Sequence, residues 1–159
     1  MLQFIPMPTD EARAYRTGAP DAYGRAPERQ ISDGSGAPCR HCLKNVPKGA
    51  EMLVLAHCPF PEKQPYAETG PVFLCADQCE QPGDVKMPPE VLSYSPTYLI
   101  KGYSADHRIV YGTGAIVGKA DITAASQSIL AQDRVAYVHA RSATNNCYLL
   151  RIEGALPPS

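Results

Sequence analysis

Val135-Ala136-Tyr137-Val138-His139-Ala140-Arg141, then Ser142-Ala143-Thr144-Asn145-Asn146, then Cys147-Tyr148-Leu149-Leu150-Arg151-Ile152-Glu153 is the stretch on which the fold turns. Two runs rich in strand formers flank five residues, a length that suits a β-hairpin. Strand side chains alternate between faces. Ala136, Val138 and Ala140 therefore share one face, and Tyr137, His139 and Arg141 share the other. On the return run, Tyr148, Leu150 and Ile152 go together, opposite Cys147, Leu149 and Arg151. Pairing Arg141 directly with Cys147 makes the first face an apolar core face. The second face carries Tyr137, His139, Arg141, Cys147 and Arg151. It reads either as the solvated outer face of an antiparallel sheet or as an anion pocket. Two guanidiniums and an imidazole suit a carboxylate or phosphate, because arginine offers a fork of donors. A thiol beside Arg141 would be drawn toward thiolate, which makes Cys147 a candidate nucleophile.

Working upstream, Asp121 is positioned to cap a helix running to about Gln132, with Ile122, Ala125, Ile129 and Leu130 as its buried stripe. Tyr98–Tyr103 and Arg108–Tyr111 read as strands around a Ser104-Ala105-Asp106-His107 turn. Met52–Cys58 and Val72–Cys75 are β-like, and residues 2–5 form a first strand. Thr9 is placed to cap a short helix over 10–17, closed by Gly18. Residues 19–38 and 61–90 read as long irregular segments. The second holds six prolines, six acids and two bases, and each proline removes a backbone donor. These elements predict one α+β domain over 1–159. Its sheet is mainly antiparallel, the principal helix (about 121–132) packs on one face, and the loops are long and Pro/Gly-rich.

Composition narrows the function classes. The chain has 159 residues, 15 Lys plus Arg and 16 Asp plus Glu, for a formal charge of −1. That balance argues against nucleic acid as a partner. With 44% hydrophobic and 19% charged residues, wholesale disorder is excluded. The longest clean apolar run, Met52–Ala56, is far short of the roughly 20 residues of a membrane span. The N-terminus lacks a basic region followed by a long apolar run, so a cytoplasmic protein is expected. There the six cysteines are expected to be thiols or metal ligands, not disulfides.

Cys39 and Cys42 form a C-x2-C pair, and Cys75 and Cys79 a C-x3-C pair. Together they offer four thiolates, the donor set of a tetrahedral structural zinc. His41 and His57 are further candidate ligands. Reduced thiols packed as small hydrophobes are the alternative. If a metal binds, the sulfurs converge to about 2.3 Å from one centre.

Gly36-Ala37-Pro38-Cys39-Arg40-His41-Cys42-Leu43, Gln64-Pro65-Tyr66-Ala67-Glu68-Thr69-Gly70-Pro71, Lys101-Gly102-Tyr103, Tyr137–Ala143 and Asn146-Cys147-Tyr148, taken in order, resemble the bacterial family catalogued as domain of unknown function 1203. The resemblance implies no activity. It singles out Cys39, Arg40, Tyr66, His139 and Cys147 as matching positions, with Arg141 a departure. It also implies that Cys42, Cys75 and Cys79 belong to a subgroup. Residue reading and resemblance together predict a pocket for a small anionic ligand lined by Arg40, Tyr66, Glu68, His139, Arg141 and Cys147. In it Arg40 converges with His139 or Arg141, Tyr66 forms the rim, and Glu68 is the internal counter-charge. The two other readings are a structural zinc protein and a protein that binds a partner through the acidic loop 61–90.

Overall fold

The computed structural model describes residues 1–155. In chain order its elements are β1 (Leu2–Ile5), α1 (Thr9–Arg16), β2 (Glu28–Ile31), β3 (Glu51–His57), β4 (Gly70–Cys75), β5 (Thr97–Tyr103), β6 (Ala115–Gly118), α2 (Ile122–Leu130), β7 (Tyr137–Ser142) and β8 (Tyr148–Gly154). Short 3-10 turns occupy Glu90–Ser93 and Lys119–Asp121. All strand pairs are antiparallel, and with two short helices the fold class is α+β. The chain divides into two compact units, Pro6–Gly83 and residues 1–5 together with the chain from Asp84 onward. No helix among the described residues is long and apolar enough to cross a membrane.

The second of these units is a five-stranded sheet in the order β1-β8-β7-β5-β6. Alternation decides what each face meets. Phe4 pairs with Ile152, Val138 with Ile152, Ala140 with Leu150 and Ile100 with Ala140, and all of these side chains are buried. α2 lies over this face, and Ile122 and Ile129 are its buried contacts. Gly102 of β5 lets the helix approach, since a Cβ there would sit 2.9 Å from Ile129 Cγ2. The observed helix is shorter than 121–132. Its stripe is Ile122, Ser126 and Ile129, with Ala125 and Leu130 only half-buried. Asp121 makes no side-chain cap, because the preceding 3-10 turn already leads the chain into the helix.

The opposite face of this sheet is not a solvated one. Tyr103, Tyr137, His139 and Arg141 are all buried. Tyr103 and Tyr137 stack at 5.4 Å, and the His139 ring lies 4.5 Å from that of Tyr103. The expected pairing of Arg141 with Cys147 is also corrected. His139 pairs with Arg151 and Arg141 with Tyr148, with a register shift between Ala140 and Arg141. Cys147 lies in the turn, where Asn146 has a positive φ of 59°. Beyond the bulge the slip is two residues, which preserves the alternation and keeps Val138, Leu150 and Ile152 in the core. At the bulge the slip is one residue, which turns Tyr148 toward His139 at 4.8 Å.

In the other unit, β2, β3 and β4 form a three-stranded sheet. Its core is built from Met7, Ala12, Val46, Leu53, Leu55, Val72 and Leu74, among others. α1 ends in a Schellman arrangement: Gly18 N–H donates to Tyr15 O, and Ala19 N–H to Ala14 O, with Gly18 at φ 96°. Thr9 is inside the helix and not its cap, and its hydroxyl goes to His41. The 19–38 segment, expected to be irregular, contains a strand. β2 lies within 19–38, and it is an edge strand exposed along its whole length, so it shows no alternation. The loop before it is fixed by Asp21, whose carboxylate accepts from the N–H groups of Ala56, Tyr23 and Arg25. The strand expected at Val72–Cys75 within 61–90 is β4, with Val72 and Leu74 buried. Arg108–Tyr111 forms only a bridge, Tyr103 to Ile109, and Ala115–Gly118 is the strand that pairs with β5.

Candidate metal centre

Residues 37–46 make a tight hairpin on the edge of β4. Pro38 bridges Asn45, Cys39 bridges Phe73, and Arg40 N–H donates to Phe73 O at 3.1 Å. At its tip Leu43 N–H donates to Cys39 O at 2.9 Å, and Leu43 itself adopts a left-handed φ of 59°. This knuckle turns Cys39 and Cys42 to the same side. Cys75 ends β4 and Cys79 follows four residues later. The parallel bridge of Cys39 to the β4 edge thus brings the two pairs together.

All four sulfurs lie within 4.8 Å of one another. Cys39 Sγ is 3.9 Å from Cys79 Sγ, and Cys42 Sγ is 3.9 Å from Cys75 Sγ. All six cysteines are free thiols. Four sulfurs bonded at about 2.3 Å to a shared tetrahedral centre lie about 3.8 Å apart. The observed spacing fits that geometry and is about twice a disulfide bond.

Hydrogen-bond donors surround the sulfurs. Cys75 N–H donates to Cys39 Sγ at 3.3 Å. Arg16, in the last turn of α1, donates through Nη2 to Cys79 Sγ at 3.0 Å and through Nε to Cys75 O at 3.0 Å. His41 Nδ1 lies 3.2 Å from Cys79 Sγ, and its Nε2 lies 2.9 Å from Thr9 Oγ1. With Cys79 as thiolate, the neutral tautomer that satisfies both contacts has Nδ1–H donating to the sulfur and the threonine hydroxyl donating to Nε2. Burial, with the neighbouring Arg16 charge, holds the His41 pKa below its usual value, which favours this neutral ring. Hydrogen bonds from Cys42, Cys75 and Cys79 hold the Cys39 thiol far below its ordinary pKa, and sharing with Cys39 pushes Cys75 and Cys79 up. Cys42 is also drawn below its ordinary pKa, so hydrogen bonding within the cluster favours thiolate at Cys39 and Cys42 and thiol at Cys75 and Cys79. Ionising all four requires a cation among them.

A family model described as "Protein of unknown function (DUF1203)" matches residues 36–154, well over half of the chain. The chain belongs to the DUF1203 family. No curated protein and no solved structure matches it.

The other residues singled out in this DUF1203 protein are distributed as follows. Arg40, Tyr66 and Glu68 belong to the Pro6–Gly83 unit, and His139, Arg141 and Cys147 to the other. Arg40 is 2% exposed, donates through Nη1 to Pro38 O, and lies 5.8 Å from the Phe73 ring centre. Tyr66 and Glu68 shape a loop turn, in which Glu68 N–H donates to Tyr66 O. Arg141 donates to Asn146 O at 3.1 Å and lies 3.0 Å from His139 Nδ1. Cys147 Sγ is 3.8 Å from Asn145 O. His57, weighed as a metal ligand, lies outside the four-sulfur group, with its Nδ1 3.6 Å from Glu11 Oε1. His41 is the other departure: its ring nitrogen meets a sulfur where a ligand was expected. Arg16 and Thr9 were missed. Neither sits in a motif, and only the packing of α1 against the cysteines gives them a role.

Proposed function

We propose that Cys39, Cys42, Cys75 and Cys79 hold a structural zinc ion. The observation that supports this most is the convergence of all four sulfurs within 4.8 Å. A site filled by four protein ligands leaves no open position for substrate, which is the mark of a structural zinc and not a catalytic one. Four thiolates around Zn²⁺ carry a net charge of −2. The Arg16 guanidinium and the His41 and Cys75 N–H groups are placed to offset it. The ion would pin the 37–46 hairpin to the end of β4 and, through Arg16 and Thr9–His41, to α1.

This reading ranks above a pocket for a small anion. Arg40 and Arg141 each donate to backbone carbonyls of their own loops, the work of loop clamps. It also ranks above partner binding through 61–90, since that segment supplies β4 and two of the four sulfurs. Elemental analysis of protein purified without chelator tests it. One zinc per chain is expected, lost when Cys39 or Cys42 is changed to serine and kept when Cys58 is. Protein that contains no zinc and takes none up under reducing conditions overturns the reading.

A further inference from the structure

The sulfurs that would hold zinc also lie close enough to one another for oxidation. We infer that peroxide converts the site to two disulfides, Cys39–Cys79 and Cys42–Cys75, with release of the metal. The inference rests on the zinc reading for the release step only. Each of these pairs is in contact at 3.9 Å, so closing either bond needs about 1 Å of movement by each sulfur. The two bonds are nested: the outer members of each segment join, and so do the inner ones. Both link the hairpin to the chain at and after β4, so neither crosses the other.

Exposure sets the order of events. Cys39 and Cys42 are buried, whereas Cys75 and Cys79 are partly exposed. Hydrogen peroxide therefore reaches the second pair first. Cys79, a thiolate when zinc is bound and a thiol that gives up its proton when it is not, attacks one peroxide oxygen, the O–O bond breaks, and the departing hydroxide takes a proton to become water. Cys79 is left as a sulfenic acid. The Cys39 thiolate then attacks that sulfur, the S–S bond forms and the S–O bond breaks. A second hydroxide leaves and is protonated. The net change is two thiols and one peroxide to one disulfide and two waters. A second peroxide oxidises Cys42 and Cys75 in the same way. Thiolates, not disulfides, hold zinc, so the ion is lost with them.

The test treats zinc-loaded protein with hydrogen peroxide and follows zinc with a chromophoric chelator. Free thiols are counted, and the non-reduced protein is mapped by mass spectrometry. The inference expects zinc to leave in step with loss of four thiols. It expects Cys39–Cys79 and Cys42–Cys75 cross-linked peptides, and recovery of zinc binding after dithiothreitol. Disulfides within a pair (Cys39–Cys42 or Cys75–Cys79), sulfinic acids at these positions, or zinc retained while Cys58 and Cys147 oxidise would each overturn it. Metal-free protein is oxidised and mapped in parallel. If the chain holds no zinc, the same two cross-links there still uphold the pairing, and their absence refutes it.

Discussion

His41 shows how one side chain would serve the proposed zinc site without being a ligand. One ring nitrogen meets Cys79 Sγ at 3.2 Å and the other meets Thr9 Oγ1 at 2.9 Å. The hydroxyl fixes the ring, and the ring fixes the sulfur. Outer-shell partners of this kind typically change metal affinity by about 10–100-fold. His41→Ala is expected to weaken zinc binding by that factor in competition with a chelator. His41→Asn, which keeps an N–H donor, is expected to recover part of it. Equal affinity in wild type and His41→Ala would remove the residue from this account. Ser126 presents a different case. Its hydroxyl is buried on α2 and has no hydrogen-bond partner among the described residues. A buried unsatisfied hydroxyl costs about 1–3 kcal/mol, and alanine is the better helix former. Ser126→Ala is expected to stabilise the protein by about 1 kcal/mol, read as a raised urea midpoint with an unchanged slope. A lowered midpoint would mean that the hydroxyl is satisfied after all.

Among the elements, the contact of α2 with β5 depends on the absence of a side chain at Gly102. An added Cβ would meet Ile129 Cγ2 at 2.9 Å and the two Val135 methyls at 3.0 and 3.1 Å. Branched side chains in a packed core yield little, and overpacking costs about 1–3 kcal/mol. Gly102→Ala is therefore expected to lower stability by that amount in denaturant titration, and a neutral result would show that the helix can shift outward. The same elements show what the sequence made legible. β1, β3, β4, β5, β7 and β8 have buried residues at alternating or adjacent positions, and their apolar runs were readable. β2 and β6 are edge strands whose residues are largely exposed. Their partners are chosen by the neighbouring strand, and no local pattern announces them. The β7–β8 core face was readable from alternation, except for Tyr148, which the bulge turns toward His139. The hairpin register was not, because a bulge and a left-handed Asn146 together shift the pairing by two residues. The burial of His139 and Arg141 also escaped, since alternation cannot tell what covers a sheet's second face.

Across the whole molecule, the two cysteine pairs were visible as spacings, but their meeting was not. Thirty-two residues separate Cys42 from Cys75, and only the bridge of Cys39 to the β4 edge closes that gap. All four clustered cysteines fall within the Pro6–Gly83 unit. A ligand that binds only the folded state stabilises it by mass action, so zinc should act on that unit. Chelation is expected to reduce amide-exchange protection within residues 6–83, most strongly at 37–46 and 70–79, and to leave β5, β7 and β8 protected. Uniform loss of protection across both units would show that the metal's influence is not confined in this way. The central claim is the four-thiolate zinc itself, and X-ray absorption at the zinc edge of the purified protein tests it most directly. The account predicts a single shell of four sulfurs at about 2.3 Å; nitrogen or oxygen in that shell, or no bound zinc to measure, would contradict it.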